Sequence, residues 1–269
     1  MNNFIKRTLS GSIFVLIIVG SILINQYAFA AVFITICALT MFEFHKITNS
    51  QTDVNVNNYI SIVGGILLFI CSFLYKSKIL PITVFILYGL YFIIVLISEL
   101  YRQKSNPIHN WAYFIMGQTF IAIPFSMLNF ILYVHDYQPL ILLSVFVTIW
   151  VNDTGAYLTG VSFGKHRLFE RISPKKSWEG FVGGAVLALL SGNIFSRVIP
   201  EISLTNWFIF SEIIVIFGTF GDLIESLTKR TVGVKDSGNI IPGHGGLMDR
   251  FDSMLLATPA ALMYLYLVY

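Results

Sequence analysis

Charged residues are scarce in this sequence, and their scarcity excludes a water-soluble domain. Asp, Glu, Lys and Arg make up 12% of the 269 residues, whereas apolar residues make up 56%. The mean hydropathy is +0.76, a value that a soluble domain could not carry on its surface. The composition therefore predicts a polytopic integral membrane protein.

Cysteine is nearly absent. The two cysteines, Cys37 and Cys71, lie in apolar runs, and their spacing is not that of metal ligands. We interpret both as small core residues, so they indicate neither a metal site nor a redox compartment. Internal repeats and low-complexity stretches are absent as well.

Long apolar runs dominate the chain, and they predict an all-α protein with about nine transmembrane helices. Lys6, Arg7 and the apolar residues 11–24 resemble a signal peptide, and residues 28–30 read AFA. Because a second apolar run follows at once and continues to residue 41, we predict a retained helical hairpin instead. Seven further runs approach the ~20 residues that cross a bilayer. They are residues 59–75, 79–101, 111–134, 139–160, 178–199, 207–227 and 251–269. We expect Pro124 to bend or split the third of these seven.

The basic residues are unevenly distributed between the two sides of the predicted membrane helices. With nine helices and a cytoplasmic N-terminus, 14 of the 17 basic residues fall on the cytoplasmic side. Only Lys76, Lys78 and Arg197 fall on the other side. This bias is the one that the positive-inside rule requires. We therefore predict a multi-pass protein of the cell membrane whose C-terminal polar loops face the cytoplasm.

Polar residues are sparse before residue 138. Glu43 and Glu99 lie near the ends of predicted spans, and His45, His109 and His135 lie in or beside loops. We interpret them as interfacial residues, because lone ionisable groups near the ends of spans reach toward water. The sequence thus predicts a helical scaffold in residues 1–137 and a catalytic part with cytoplasmic loops in residues 138–269.

The strongest polar cluster covers residues 222–252. It holds five acidic residues, four basic residues, one histidine and five glycines between two apolar spans. If the preceding helix continues, one face carries Asp222, Glu225, Ser226, Lys229 and Arg230. The glycine loop, residues 232–246, contains too many helix breakers to be helical and suits the close approach of backbone N–H groups to an anion. A second helix can restart at Asp249, which would place Asp249 and Asp252 on one face.

This cluster has the chemistry of a magnesium and phosphate site. Carboxylates on two helix ends supply the hard oxygen ligands that Mg²⁺ prefers, together with substrate phosphates. The cations that could bind phosphate are Lys229, Arg230, Lys235 and Arg250. A simple solvated cytoplasmic loop is the alternative, but it explains neither the glycines around His244 nor the helical spacing of the acids.

A second polar segment covers residues 150–184. Asn152 and Asp153 lie inside an apolar run, where Asp153 and Tyr157 share a helix face. The small residues Gly155 and Gly160 would let another helix approach closely. Asp153 is either functional or a packing residue that hydrogen-bonds a neighbouring helix.

Cations then precede the next predicted helix. Lys175 and Lys176 stand before Ser177, which can cap that helix, and Ser173 with Pro174 predicts a turn. A helix N-terminus with adjacent lysines is an anion site that would fit a lipid phosphate or a nucleotide triphosphate. The alternative is a topological anchor that attracts anionic lipid.

These segments resemble the signature of the phosphatidate cytidylyltransferases, also called CDP-diacylglycerol synthases. The resemblance rests on residues 226–230 (SLTKR), 235–238 (KDSG) and 241–252 (IPGHGGLMDRFD). Residues 152–157 (NDTGAY) and 173–180 (SPKKSWEG) are also similar to a conserved region of that family. Thr228 is a departure, since the family usually has an apolar residue there. The motifs cover roughly the C-terminal half of the chain.

The resemblance implies a multi-pass membrane enzyme that joins CTP to phosphatidate, giving CDP-diacylglycerol and pyrophosphate with Mg²⁺ as cofactor. We predict as catalytic residues Asp222, Lys229, His244, Asp249 and Asp252. For one Mg²⁺ or a pair of metal ions, the predicted ligands are Asp222, Asp249 and Glu225. The predicted substrate-binding residues are Asp153, Lys175, Lys176, Ser177, Ser226, Arg230, Lys235, Asp236, Gly243, Gly245, Gly246 and Arg250. His244 could bind phosphate or hydrogen-bond within the loop.

Two other functions are compatible with these residues. A CTP-dependent lipid kinase, or a cytidylyltransferase for another lipid phosphate, would use the same groups. A transporter could place Asp153, Asp222 and Glu225 along an ion path, although the absence of a repeat argues against it. For partners we expect CTP, phosphatidate and membrane lipid, with no nucleic acid, and the sequence is compatible with a homodimer.

Overall fold

The computed structural model describes residues 3–104, 106–241 and 245–269, with side chains from residue 8 onward. The fold is all-α, as predicted, and the described residues add a single two-stranded hairpin. The helices are α1 (Asn3–Ile24), α2 (Gln26–Thr48), α3 (Asn58–Lys76), α4 (Phe85–Ser98), α5 (Pro107–Gly117), α6 (Ile123–Leu132), α7 (Pro139–Phe163), α8 (Trp178–Val198), α9 (Leu204–Thr231) and α10 (Met248–Val268). The strands are β1 (Arg167–Phe169) and β2 (Ser173–Ser177).

Most of these helices are membrane spans by length and composition. Within the described ranges, eight helical segments are long and apolar enough to cross a bilayer. The described apolar part of α1, Thr8–Ile24, is shorter. A polytopic membrane protein is thus confirmed, whereas the count of nine spans and the cytoplasmic N-terminus stay predictions.

The chain divides into two compact units, which are described separately. Unit 1 comprises the described residues of Met1–Tyr133 and Thr231–Phe251, and unit 2 comprises Val134–Arg230 and Asp252–Tyr269. The glycine loop therefore groups with the N-terminal helices. The predicted division by role, into a scaffold (1–137) and a catalytic part (138–269), stays a prediction.

In unit 1, local signals set the ends of the helices. Asn25 separates α1 from α2, and its side chain accepts hydrogen bonds from the N–H groups of Tyr27 and Ala28, both at 2.9 Å. Pro124 has the predicted effect, because the helical segment there is broken into α5, a π turn at Gln118–Ala122, and α6. Proline cannot donate the backbone hydrogen bond of a regular α-helix, which explains the break.

The interfacial interpretation of three residues in unit 1 is wrong. Glu43, His45 and Glu99 are all buried, at 2%, 0% and 6% exposure. His45 contacts the Ser61 hydroxyl at 2.6 Å, and Glu99 pairs with Arg102 at 2.8 Å. Each of the three side chains thus has at least one polar partner inside unit 1, although Oε1 of Glu43 and Nδ1 of His45 make no hydrogen bond among the described residues.

In unit 2, small residues bring α7 and α8 together, as predicted. A Cβ on Gly155 would lie 3.0 Å from the Gly183 carbonyl oxygen, and one on Gly184 would lie 2.8 Å from the Asn152 carbonyl oxygen. Hydroxyls add a polar contact, with Thr148 and Ser191 at 2.9 Å. This close packing fixes Asp153 on α7 relative to the start of α8.

An antiparallel hairpin connects α7 to α8. Arg167 pairs with Ser177, and Phe169 pairs with Ser173. The turn predicted at Ser173 and Pro174 is therefore wrong, since both residues lie in β2 and the turn covers residues 170–172. A proline is tolerated here because each strand of a two-stranded hairpin is an edge strand.

Candidate active site

A cavity of about 300 Å³ lies in unit 2. Its walls come from α7, the hairpin, the start of α8, α9 and α10. The polar side chains that line it are Asn152, Asp153, Tyr157, Lys175, Lys176, Ser177, Thr219, Asp222 and Ser253. Five of the predicted site residues, namely Asp153, Lys175, Lys176, Ser177 and Asp222, thus share one cavity.

An ion pair joins the hairpin to α9 across this cavity. The Lys176 ammonium lies 2.5 Å from Oδ2 of Asp222, and each side chain is a little over one quarter exposed. The Ser226 hydroxyl donates to Oδ1 of Asp222 at 3.1 Å. Asp222 and Ser226 therefore share a helix face, as their spacing predicts. The Lys176 ammonium lines the cavity, where an incoming phosphate could contact it.

The N-terminus of α8 opens beside the two lysines. Ser177 is buried, and its hydroxyl accepts the Gly180 N–H at 3.1 Å, which confirms the predicted N-cap. The positive end of the α8 dipole and the lysines before it therefore lie at one wall of the cavity. This arrangement suits an anion.

Glu179 stabilises the approach to the hairpin, and sequence reasoning missed it. Its carboxylate accepts the N–H groups of Lys165 and His166 at 3.1 and 3.2 Å, and it contacts Nδ1 of His166 at 2.6 Å. Glu179 follows the cap residue by two positions, in the first helical turn, where an acid is favoured by the dipole. An acid in the first turn after a predicted N-cap is the sequence signal that could have identified Glu179.

A second ion pair on α9 is almost completely buried. The Lys229 ammonium lies 2.5 Å from Oε2 of Glu225, and their side chains are 10% and 0% exposed. Breaking a buried pair leaves an uncompensated charge, so both residues have a structural role in α9. The catalytic role of Lys229 and the metal role of Glu225 stay predictions. Arg230, the next predicted phosphate ligand, is exposed.

Acidic side chains surround Asp252 in unit 2. Asp222, Glu225 and Asp153 are all close enough to repel its carboxylate. Gly221 permits this crowding, because a Cβ there would lie only 2.6 Å from the carbonyl oxygen of Asp252. The mutual repulsion produces a negative potential that a cation would relieve.

These acids fit the predicted Mg²⁺. Among the described residues, no group of three or more His, Cys, Asp or Glu side chains is arranged so that it could hold a metal ion by itself. Mg²⁺ does not need three protein ligands, since it commonly takes one or two carboxylates together with water and substrate phosphates. Asp222 and Asp252 provide hard oxygen donors of this kind in unit 2.

Asp249 lies in unit 1, in the first turn of α10, where the predicted helix restarts. Its carboxylate accepts the N–H groups of Gly246 at 2.9 Å and Ser237 at 3.1 Å. Asp249 therefore binds both halves of the glycine loop. Gly245 has φ +85°, a conformation that favours glycine, and its carbonyl accepts the Ile241 N–H at 3.0 Å.

The other predicted residues of unit 1 are distributed around this loop. Lys235, Asp236 and Arg250 are exposed. Gly243 and His244 lie outside the described residues, so their predicted roles, and both alternatives for His244, stay predictions. The Gly246 N–H is donated to Asp249, and the role of Gly245 and Gly246 in substrate binding also stays a prediction. Asp222 and Asp249 belong to different units, and their joint metal role stays a prediction as well.

Comparison with known proteins identifies related sequences. The model of the cytidylyltransferase family matches residues 5–268. A phosphatidate cytidylyltransferase of Haemophilus influenzae is 45% identical over 134 residues, which are 47% of this chain and 46% of the relative. The protein of the same name from Bacillus subtilis is 51% identical over 117 residues, which are 42% of each chain. The one from Staphylococcus saprophyticus is 45% identical over 120 residues, which are 44% of this chain and 46% of the relative. The chain spans about half the length of each of these curated relatives.

Proposed function

Because this chain belongs to the cytidylyltransferase family, we propose that it transfers a cytidylyl group from CTP to phosphatidate. The products are CDP-diacylglycerol and pyrophosphate, and the reaction serves phospholipid synthesis. The similar proteins from three bacteria are named phosphatidate cytidylyltransferases, which supports this choice of substrates.

The observation that carries the proposal is the cavity of unit 2. Lys176 supplies a cation, the start of α8 supplies a helix N-terminus, and Asp222 supplies a carboxylate. Both substrates are phosphate esters, and a phosphoryl group needs positive charge and N–H donors, while a divalent cation needs carboxylates. A membrane protein with such a cavity is suited to act on a lipid phosphate.

In the proposed reaction, a phosphate oxygen of phosphatidate attacks the α-phosphorus of CTP. A new P–O bond forms while the bond from the α-phosphorus to the oxygen that bridges to the β-phosphorus breaks, and that electron pair leaves with pyrophosphate. A phosphate monoester has a second pKa of about 6, so the nucleophile needs no strong general base. The task of the protein is to position the phosphates and to stabilise the developing charge.

The residues have distinct roles in this proposal. Lys175, Lys176 and the N-terminus of α8 bind and orient phosphate groups, and Asp222 fixes Lys176. Among the predicted metal ligands, Asp222 and Asp249 are the first choices, and Glu225 is a further ligand. Asp252 lies close to Asp222 and adds negative charge to the site. Bound Mg²⁺ would neutralise negative charge on the phosphate oxygens.

We propose that the site faces the cytoplasm, where CTP and Mg²⁺ are present. The excess of basic residues in the predicted cytoplasmic segments supports this orientation. CTP, phosphatidate and membrane lipid are the proposed partners, and no nucleic acid is among them. A homodimer remains an expectation from the sequence alone.

The test is a product analysis with the purified protein. It is incubated with Mg²⁺, a panel of lipid phosphates and CTP that carries label on either the α- or the γ-phosphate, and the lipid product is identified by mass. We expect a CDP-lipid with the α-label and labelled pyrophosphate from the γ-label. A phosphorylated lipid that carries the γ-label, with CDP as co-product, would show a kinase instead. Product from an isoprenoid phosphate but not from phosphatidate would change the assigned substrate.

A further inference from the structure

Glu43 is a buried acid in the middle of unit 1 that the proposed chemistry does not use. It lies on α2, five residues before the helix ends, and only 2% of its surface is exposed. Its Oε2 accepts two hydrogen bonds, from the Ser237 hydroxyl at 3.0 Å and from the Met248 N–H at 2.9 Å. Ser237 lies in the first half of the glycine loop, and Met248 begins α10 two residues after the loop ends. One carboxylate oxygen thus ties both sides of the loop to a transmembrane helix.

Two glycines of the loop, Gly238 and Gly246, leave space for the Glu43 side chain. Gly238 and Gly246 both contact it so closely that a Cβ at either position would collide with the Glu43 carboxylate. At Gly246 that Cβ would lie 2.5 Å from Oε2, and at Gly238 it would lie 2.9 Å from Cδ. Glycine at these two positions therefore permits the close contact with Glu43.

Asp249 is attached to the same part of the loop from the other side. It accepts the N–H of Ser237, whose hydroxyl donates to Glu43, and the N–H of Gly246, which packs against Glu43. The orientation of the Asp249 carboxylate therefore depends on where Ser237 and Gly246 are held. Glu43 contacts both of these residues.

We propose that Glu43 is a positioning residue for cytidylyl transfer, which clamps the glycine loop so that Asp249 is held in one orientation. The catalytic part of this inference rests on the proposed function. A loop of this length with five glycines has high conformational entropy, and its ordering needs an anchor. A buried carboxylate inside a membrane protein is costly unless it makes such hydrogen bonds.

The first test compares three variants of Glu43 in the full-length protein. Glu43→Ala removes the acceptor, and we expect kcat per folded enzyme to fall about 100-fold, since a small misplacement of a site costs that much. The KM for CTP should change much less, because the loss is one of orientation. Glu43→Asp keeps the charge but is one methylene too short, so it should resemble Glu43→Ala. Glu43→Gln keeps the length and one acceptor oxygen, and it should retain activity within about tenfold of wild type.

Glu99→Ala is the matched control. Glu99 is also a buried acid of unit 1, and its hydrogen bonds go to Arg102 and Asn110, which lie outside the glycine loop. Its removal should lower the melting temperature and leave kcat per folded enzyme close to wild type. Wild-type kcat in Glu43→Ala would overturn the proposal, as would an active Glu43→Asp together with an inactive Glu43→Gln.

Hydrogen exchange tests the clamp without any assay of activity. In Glu43→Ala, the amides of Ser237, Gly246 and Met248 should exchange at least about tenfold faster, because the lost hydrogen bond is worth roughly that factor. The same amides should keep wild-type protection in Glu99→Ala. If the wild-type protein makes no CDP-lipid, the proposed function fails, and the exchange result then decides whether Glu43 anchors the loop. Unchanged exchange in Glu43→Ala would overturn the clamp.

A double-mutant cycle tests the direct contact. Gly238→Ala should lower the free energy of unfolding, since the three atoms nearest to its Cβ would all belong to the Glu43 side chain. In the Glu43→Ala background, Gly238→Ala should change the free energy of unfolding little, because the space that the Glu43 carboxylate occupied is empty. Equal costs in both backgrounds would show that the two residues do not interact and would overturn the proposed fit.

Discussion

At the scale of single residues, Lys176 connects the hairpin to the proposed phosphate chemistry. Its ammonium lies 2.5 Å from Asp222 and faces the cavity of unit 2. A lysine that is held by one carboxylate can still donate to a phosphate, so the ion pair with Asp222 is compatible with the proposed substrate-binding role of Lys176. The two roles can be separated by kinetics.

We predict that Lys176→Ala raises the KM for CTP or phosphatidate about tenfold and changes kcat less. A hydrogen bond to a charged group is worth about 1.5–3 kcal/mol, and 1.4 kcal/mol corresponds to a factor of ten in binding. Initial rates over a range of both substrates measure the effect. Lys165→Ala is the control, because Lys165 is an exposed cation of the same segment that does not line the cavity. If both variants raised the KM equally, Lys176 would contribute only to the overall positive charge at the membrane surface and would not bind substrate directly.

Asp249 raises a similar question, since it accepts hydrogen bonds from the loop and is also a predicted metal ligand. We predict that Asp249→Asn lowers turnover at least about 100-fold, because a neutral amide binds Mg²⁺ poorly, while the protein stays folded. Release of pyrophosphate from labelled CTP measures turnover, and hydrogen exchange of the Ser237 and Gly246 amides, which donate to Asp249, reports the loop.

Asparagine can still accept a backbone N–H, so the loop should keep its protection in this variant. Turnover near that of wild type would leave Asp249 with a structural role alone. A loss of both turnover and protection would show that the charge is needed for the loop itself.

Glu43 shows why part of the site is invisible in a single sequence. Its location near the end of a predicted span indicated an interfacial residue. The deciding fact is its contact with Ser237, 194 residues away in sequence. No local pattern contains that contact. By contrast, Asp222 and Ser226 contact each other within one helical turn, and their spacing predicted it.

At the scale of elements, local chemistry predicted helix ends better than it predicted strands. Ser177 caps α8 and Pro124 lies where a helical segment breaks, and both effects arise within one turn of the residue. The hairpin was missed because β2 reads SPKKS, which has no apolar alternation. Its two strands are held by backbone pairing next to α8, which side-chain patterns do not report.

The α7–α8 pair depends on glycine at their contact, which leads to a prediction about stability. Gly184→Ala would place a Cβ 2.8 Å from the Asn152 carbonyl oxygen and 3.2 Å from the Ala156 side chain. We expect the free energy of unfolding to fall by about 1–3 kcal/mol, since overpacked contacts force the backbones apart. Thermal unfolding in detergent measures it, and transfer activity should fall as the cavity is distorted.

Gly89→Ala is the control for that substitution. Gly89 is also a helical glycine, but a Cβ there would meet nothing within 4 Å. This variant should keep or slightly raise the melting temperature, because alanine is the better helix former. If Gly184→Ala were equally harmless, the close approach of α7 and α8 would not be a requirement of the fold.

At the scale of the whole molecule, the orientation in the membrane decides whether the proposed site can reach CTP. The sequence predicts that the glycine loop faces the cytoplasm and that the segment between α8 and α9 faces the other side. Cys37 and Cys71 are buried, at 0% and 1% exposure, so the native protein offers little background for labelling of cysteines.

We predict opposite labelling for two single substitutions, Lys235→Cys and Glu201→Cys, at positions that are exposed in the structure. A membrane-impermeant maleimide should react with Lys235→Cys only in inside-out vesicles or after lysis, and with Glu201→Cys in intact spheroplasts. Labelling of both from one side would mean that α9 does not cross the membrane between them. Labelling with the reverse sidedness would place the glycine loop away from cytoplasmic CTP, and the proposed reaction would then lack its nucleotide substrate.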